Sequence, residues 1–150
     1  MAFDITSTLR TVESYLSASG YVPSVQIGEP KSPPKSELSA AIFMTSVGIA
    51  QLTLNTTIEK HVVTIRLYRN MLSEPQENIE LELAKVVQDI ASDLLGDFDL
   101  GATIRNVDAG GEHGTSLSTT WGYLDVGGTM YRVADINLPL TVDDSATLVA

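Results

Sequence analysis

Two histidines are the chain's only imidazoles, and Glu112 stands directly before one of them, His113. A carboxylate beside an imidazole is the smallest unit of general acid–base chemistry, but catalysis also needs a nucleophile in reach and a rigid frame. Gly110, Gly111 and Gly114 surround the pair, and chain with so much backbone freedom holds such geometry poorly. A solvated polar loop is the ordinary reading, and a small acidic enzyme using Glu112 and His113 is the sharper one. Activity abolished by His113→Ala would favour the enzyme. The glycine cluster lacks the Lys-Ser or Lys-Thr pair of a phosphate loop. No histidine and carboxylate stand at ligand spacing with a third donor in view, so no metal is expected, and no cofactor. Glu82, Lys85, Asp89 and Asp93 form one ridge of a helix whose start is crowded by Glu74, Glu77 and Glu80. Early acids suit the positive end of the helix dipole. The later ones either face water or meet Arg66, Arg69 or Arg105 of an adjacent copy. Trp121, Tyr123 and Tyr131 are expected to cluster across a hairpin. Stacking on nucleic acid would want basic neighbours, and only Arg132 stands there.

The elements that must position these groups are legible in the pattern. Val63, Ile65 and Leu67 alternate with Thr64, Arg66 and Tyr68, the period of a strand with unlike faces. Ser73, Pro75 and Gln76 make a capping-box start for the following helix. Ile79, Leu83, Val86, Val87, Ile90 and Leu94 form its core stripe. Leu81, Ala84, Ala91 and Leu95 form a second stripe on nearly the opposite side, which either the first helix or a neighbouring subunit must cover. The first helix carries Ile5, Leu9, Val12 and Leu16, with Asp4 or Thr6 as cap and Gly20 closing it. Residues 28–36 hold three prolines and read as an exposed connector. Residues 41–47 read as a strand pairing with the next one, and residues 103–107 as a short strand. Residues 119–124 and 129–140 form a hairpin about Asp125, Val126, Gly127 and Gly128. Pro139 should end the last strand or lie on an edge, and residues 141–150 read as a loose tail, from about 143 at the latest.

The expected fold class is therefore α+β: a mainly antiparallel sheet of about four strands with two helices packed on one face. Thr64, Arg66, Tyr68, Tyr131, Val133 and Asn137 are expected on the opposite, outward face.

Composition bounds the function. The chain's 150 residues suit one domain with a real core. Nine basic against nineteen acidic residues give a net charge of −10, which argues against duplex binding and against docking on anionic lipid. The absence of cysteine excludes thiol catalysis, disulfides and thiolate metal sites. No apolar run approaches the roughly 20 residues of a membrane-spanning helix, and the first nine residues lack the pattern of a secretion signal. A soluble protein made in a cytoplasm is the default expectation.

Several stretches in order carry a resemblance across nearly the whole chain. They are Met1-Ala2-Phe3-Asp4, then Glu29-Pro30-Lys31-Ser32, then Val63-Thr64-Ile65-Arg66-Leu67-Tyr68 followed by Met71-Leu72-Ser73-Glu74-Pro75-Gln76. Gly96-Asp97-Phe98, Arg105-Asn106-Val107-Asp108, Gly122-Tyr123-Leu124 and Tyr131-Arg132-Val133 through Leu138-Pro139-Leu140 continue the series. The chain resembles the tail terminator proteins of long-tailed bacteriophages that infect actinobacteria, departing from them around residues 48–57. The resemblance implies a virion structural protein, assembled in the host cytoplasm as a ring, typically a hexamer, at the head-proximal end of the tail tube. Such a ring ends tube polymerisation and joins the tail to the head stopper or connector, and it has no catalytic residues to carry over. Another neck or head-completion adaptor, or a tube subunit, is the alternative.

On that reading Leu81, Ala84, Leu95, Arg66 and Tyr68 are expected at subunit contacts. Pro30, Lys31, Pro33, Gly110, Glu112 and His113 are expected to touch tube or connector proteins. Asp108, Glu112 and Asp125 are expected to line a channel that repels passing DNA.

Overall fold

The computed structural model describes residues 5–31, 38–52, 57–72, 75–96, 106–108, 110–111, 114 and 116–144. Helix α1 (Ile5–Ser19) leads through β1 (Ser24–Ile27) to the long pair β2 (Leu38–Leu52) and β3 (Thr57–Asn70). Helix α2 (Gln76–Gly96) follows, then β4 (Asn106–Val107), β5 (Ser118–Val126) and β6 (Thr129–Asp144). The strands form one six-stranded sheet in the order β1-β2-β3-β6-β4, and β5 also pairs with β6. The short strand expected at residues 103–107 is described as β4, which meets β6 only at Leu140 and Thr141, and β1, parallel to β2, is an addition.

Alternation decides which side chains meet the helices. Val63, Ile65 and Leu67 of β3 and Ala134, Ile136, Leu138 and Leu140 of β6 form one core with Val12 and Leu16 of α1 and Ile79, Leu83, Val86, Ile90 and Leu94 of α2. Both helices therefore lie on one face. Helix α1 buries Thr8, Val12 and Leu16, a stripe rotated from the expected one, with Leu9 only partly covered. Its end is closed by Gly20 at φ 77°, where a side chain would be strained.

The opposite face is not the open surface that alternation alone suggests. Tyr68 and Tyr131 are 1% exposed, and with Ala41, Val126 and Val133 they make a second, smaller core. The rings meet edge to face at 6.0 Å, and Leu124 of β5 closes over them. Nearby, Asp135 takes a bidentate pair from Arg66 at 2.7 and 3.0 Å. Glu29 accepts a further bond from Arg66 at 2.6 Å, and the guanidinium stacks over Phe43. Among the described residues, large flat side chains on adjacent strands thus pack against one another on this face.

Strand β6 does not stop at Pro139 but runs on to Asp144 beside Thr57. The Pro139 carbonyl accepts from the Asp108 amide at 2.9 Å, so its ring nitrogen also points away from β3, at the gap where β5 ends and β4 begins. The ladder to β3 loses no donor. The β5–β6 connection is a two-residue turn, with Gly127 at φ 59° and Gly128 at φ 89°, tighter than the four-residue loop expected. Ser73 and residues 145–150 lie outside the described residues, so the capping box and the rest of the tail are not seen.

Candidate functional site

The sheet brings together one array that sequence reading missed. On the helix side of β3, Thr8 Oγ1 lies 3.0 Å from His61 Nδ1, and His61 Nε2 lies 3.1 Å from Glu59 Oε2. Hydroxyl, imidazole and carboxylate stand in the order of a nucleophilic triad. Yet His61 is 0% exposed and Thr8 4%, so the hydroxyl and the imidazole are buried beneath α1. It fastens the helix to the sheet through satisfied polar groups. The available signal was parity: His61 shares a face with Val63, and Thr8 precedes Val12 and Leu16 at four-residue spacing. Among the described residues no cluster of three or more ligand types could hold a metal ion.

On the other face Lys60 Nζ reaches Asp108 Oδ2 at 2.9 Å, with both side chains buried. The Asp108 backbone is tied down as well, its carbonyl accepting from Gly111 at 3.0 Å. This corrects the expectation of Asp108 as a channel-lining acid: its charge is neutralised inside the subunit. Asp125 is exposed and accepts the Gly128 amide at 2.8 Å, shaping the turn while keeping its charge in water. Glu112, His113 and Pro33 lie outside the described residues. Gly110 and Lys31 are exposed, and Pro30 is half-buried.

Of the residues expected at subunit contacts, Tyr68 is buried and Arg66 is half-buried and engaged by Asp135 and Glu29 within the chain. Burial pushes the Tyr68 phenol up, and the Arg66 guanidinium beside it pulls the other way. The bidentate bond to Asp135 holds Arg66 charged well above its ordinary range, against an opposing effect of burial. Burial likewise pushes Tyr131 up.

Helix α2 behaves differently. Leu81 is 63% exposed and Leu95 62%, with Ala84 exposed between them, so α1 does not cover the second stripe. The helix-side face of the β5–β6 hairpin adds Trp121, Tyr123 and Met130, all exposed. Arg132 braces these rings, lying 5.9 Å from the Trp121 centroid and 4.5 Å from that of Tyr123, while its Nε pairs with Glu80 of α2. Tyr131 points the other way, so the three-ring cluster expected from sequence is a two-ring cluster closed by an arginine. Exposed apolar side chains thus lie both on the side of α2 turned away from the sheet and on a bare strip of the hairpin.

No family model matches the sequence, and no curated protein matches it. Among solved structures, the chain is similar to the sheath/tube terminator of an extracellular contractile injection system, PVC, in its extended state, determined by cryo-EM. Identity is 11% and the TM-score 0.40, over 100% of this chain and 62% of that one. This chain thus spans less than two thirds of that neighbour's length.

Proposed function

We propose that this chain is a ring-forming structural subunit of a phage-like tail, placed at the head-proximal end of the tube, where it ends tube polymerisation and joins the tail to the head connector. One observation carries the reading. A subunit of net charge −10 keeps large apolar side chains in water, Leu81 and Leu95 on α2 and Trp121, Tyr123 and Met130 on the hairpin. Such surface marks a protein contact, and identical copies arranged head to tail are the simplest partner. The ordered sequence resemblance to tail terminators supports the same role, with a hexamer as the expected ring.

On this reading the chain is not an enzyme, and the Thr8, His61 and Glu59 array serves to hold α1. The subunit contact centres on Leu81, Ala84 and Leu95, with the aromatic pair at its margin. Exposed backbone at Lys31 and Gly110 faces tube or connector proteins, and the general acidity keeps passing DNA from adhering. No helix of the described residues is long and apolar enough to cross a membrane.

The test is assembly. Purified chain added to polymerising cognate tube subunits should cap them and shorten the tubes in electron micrographs, while alone it forms closed rings. Long cylinders from the chain alone would instead mean a tube subunit, and tubes of unchanged length would remove the terminator role.

A further inference from the structure

Strand β1 pairs with β2 only from Ser39 to Ile42, so the rest of β2 has no described strand on its outer side. The Ile42 carbonyl accepts from Gly28 at 2.7 Å, which fixes the residues whose peptide groups point outward. Beyond the register shift at Met44/Ser46, Val47 and Ile49 point outward, while Ser46 and Gly48 face β3. The side chains of Val47 and Ile49 are themselves 39% and 63% exposed. At the other end of the sheet β5 likewise has no described strand on its outer side. There Pro139 fixes the phase of β6, so Thr119, Trp121 and Tyr123 of β5 point their peptide groups outward.

Neither edge carries the prolines or the run of charges that keep strands apart, and the register shifts of β2, at Met44/Ser46 and Ile49/Gln51, leave Val47 and Ile49 between them. Strand β2 carries no charge and no proline over its 15 residues, and β5 carries a single acid, Asp125, near its end. Copies of net charge −10 repel wherever their acids approach, and these two edges are where acids are missing. Direction fits too. The joints β2–β3, β3–β6 and β6–β5 are all antiparallel, so β5 runs opposite to β2. A neighbour turned about a ring axis without reversing its strands therefore brings its β2 antiparallel to β5.

Resting on the ring reading, we propose that the outer half of β2 in one copy pairs, strand to strand, with β5 of the next, joining the sheets of adjacent subunits. Strand β5 lies level with β2 residues 38–43, while the open half of β2 begins where those end, so copies step along the strand axis from one to the next. That stagger is the shear a closed ring of tilted strands requires.

The chain has no native cysteine, which makes cross-linking clean. Full-length Val47→Cys or Ile49→Cys is mixed with Trp121→Cys or Tyr123→Cys and oxidised. At least one β2–β5 combination should cross-link in high yield, and β2–β2 or β5–β5 pairs should not. Val47→Pro removes an outward donor without touching the ladder to β3, and should raise the concentration at which rings half-dissociate by about tenfold or more, whereas Val47→Ala should not. Rings that form without a β2–β5 cross-link, or with β2–β2 pairs alone, overturn this seam and leave the ring intact as a reading. Wild-type protein that never forms rings overturns both. If Val47→Pro fails to fold, the cross-linking pattern decides.

Discussion

Removing the Asp108 carboxylate takes away an acceptor 2.9 Å from the buried Lys60 ammonium, and breaking a buried ion pair from one side is costly. Asp108→Ala should destabilise the subunit by about 3–5 kcal/mol in urea unfolding, and pairing it with Lys60→Met should recover most of that loss. This separates a structural acid from a channel acid, since a channel acid would alter DNA passage and leave stability untouched. The buried phenols make a second prediction. Tyr68 and Tyr131 both have their ionisation raised from 10.0 by burial, so the folded state keeps protons that the unfolded chain gives up. Stability is full below pH 10 and falls as pH rises from there through the raised folded values. Tyr131→Phe should flatten that alkaline decline, read as melting temperature against pH. Neither pair of partners was legible in the sequence, because Lys60 and Asp108 are 48 residues apart and Thr8 and His61 are 53. Parity assigns a residue to a face but cannot say who waits there.

At the scale of elements the pattern was read best where it was long. The two helices, the β2–β3 pair and the β5–β6 hairpin follow from apolar spacing and paired glycines, whereas β1, only four residues, is too short to carry a period. Pro139 misled because its direction, not its presence, decides what a strand loses. The turn gives a clean test. Gly128 sits at φ 89° with open space around it, so Gly128→Ala should cost about 1–2 kcal/mol from backbone strain alone, measured by denaturant titration. Helix α2 gives another. Leu81 is largely in water, so Leu81→Asp should leave stability within about 0.5 kcal/mol of wild type and still abolish self-association. Loss of fold in that variant would mean that Leu81 belongs to the subunit core.

For the whole molecule, sequence reading gave the α+β class and helices on one face. It misjudged the opposite face, where Tyr68, Tyr131 and Val133 cover one another, because alternation reports an outward direction and not what neighbouring strands bring beside it. What stays exposed is then informative: with that face closed, the bare apolar side chains lie on α2, on the β5–β6 hairpin, on the open half of β2 and at Leu72. The account stands on the claim that identical copies cover this surface. Native mass spectrometry of the purified chain beside its Leu81→Asp variant measures that directly. The account predicts one closed ring of fixed copy number for the wild type and folded monomer for the variant. A wild-type chain that stays monomeric at high concentration, and also within assembled particles, would contradict it.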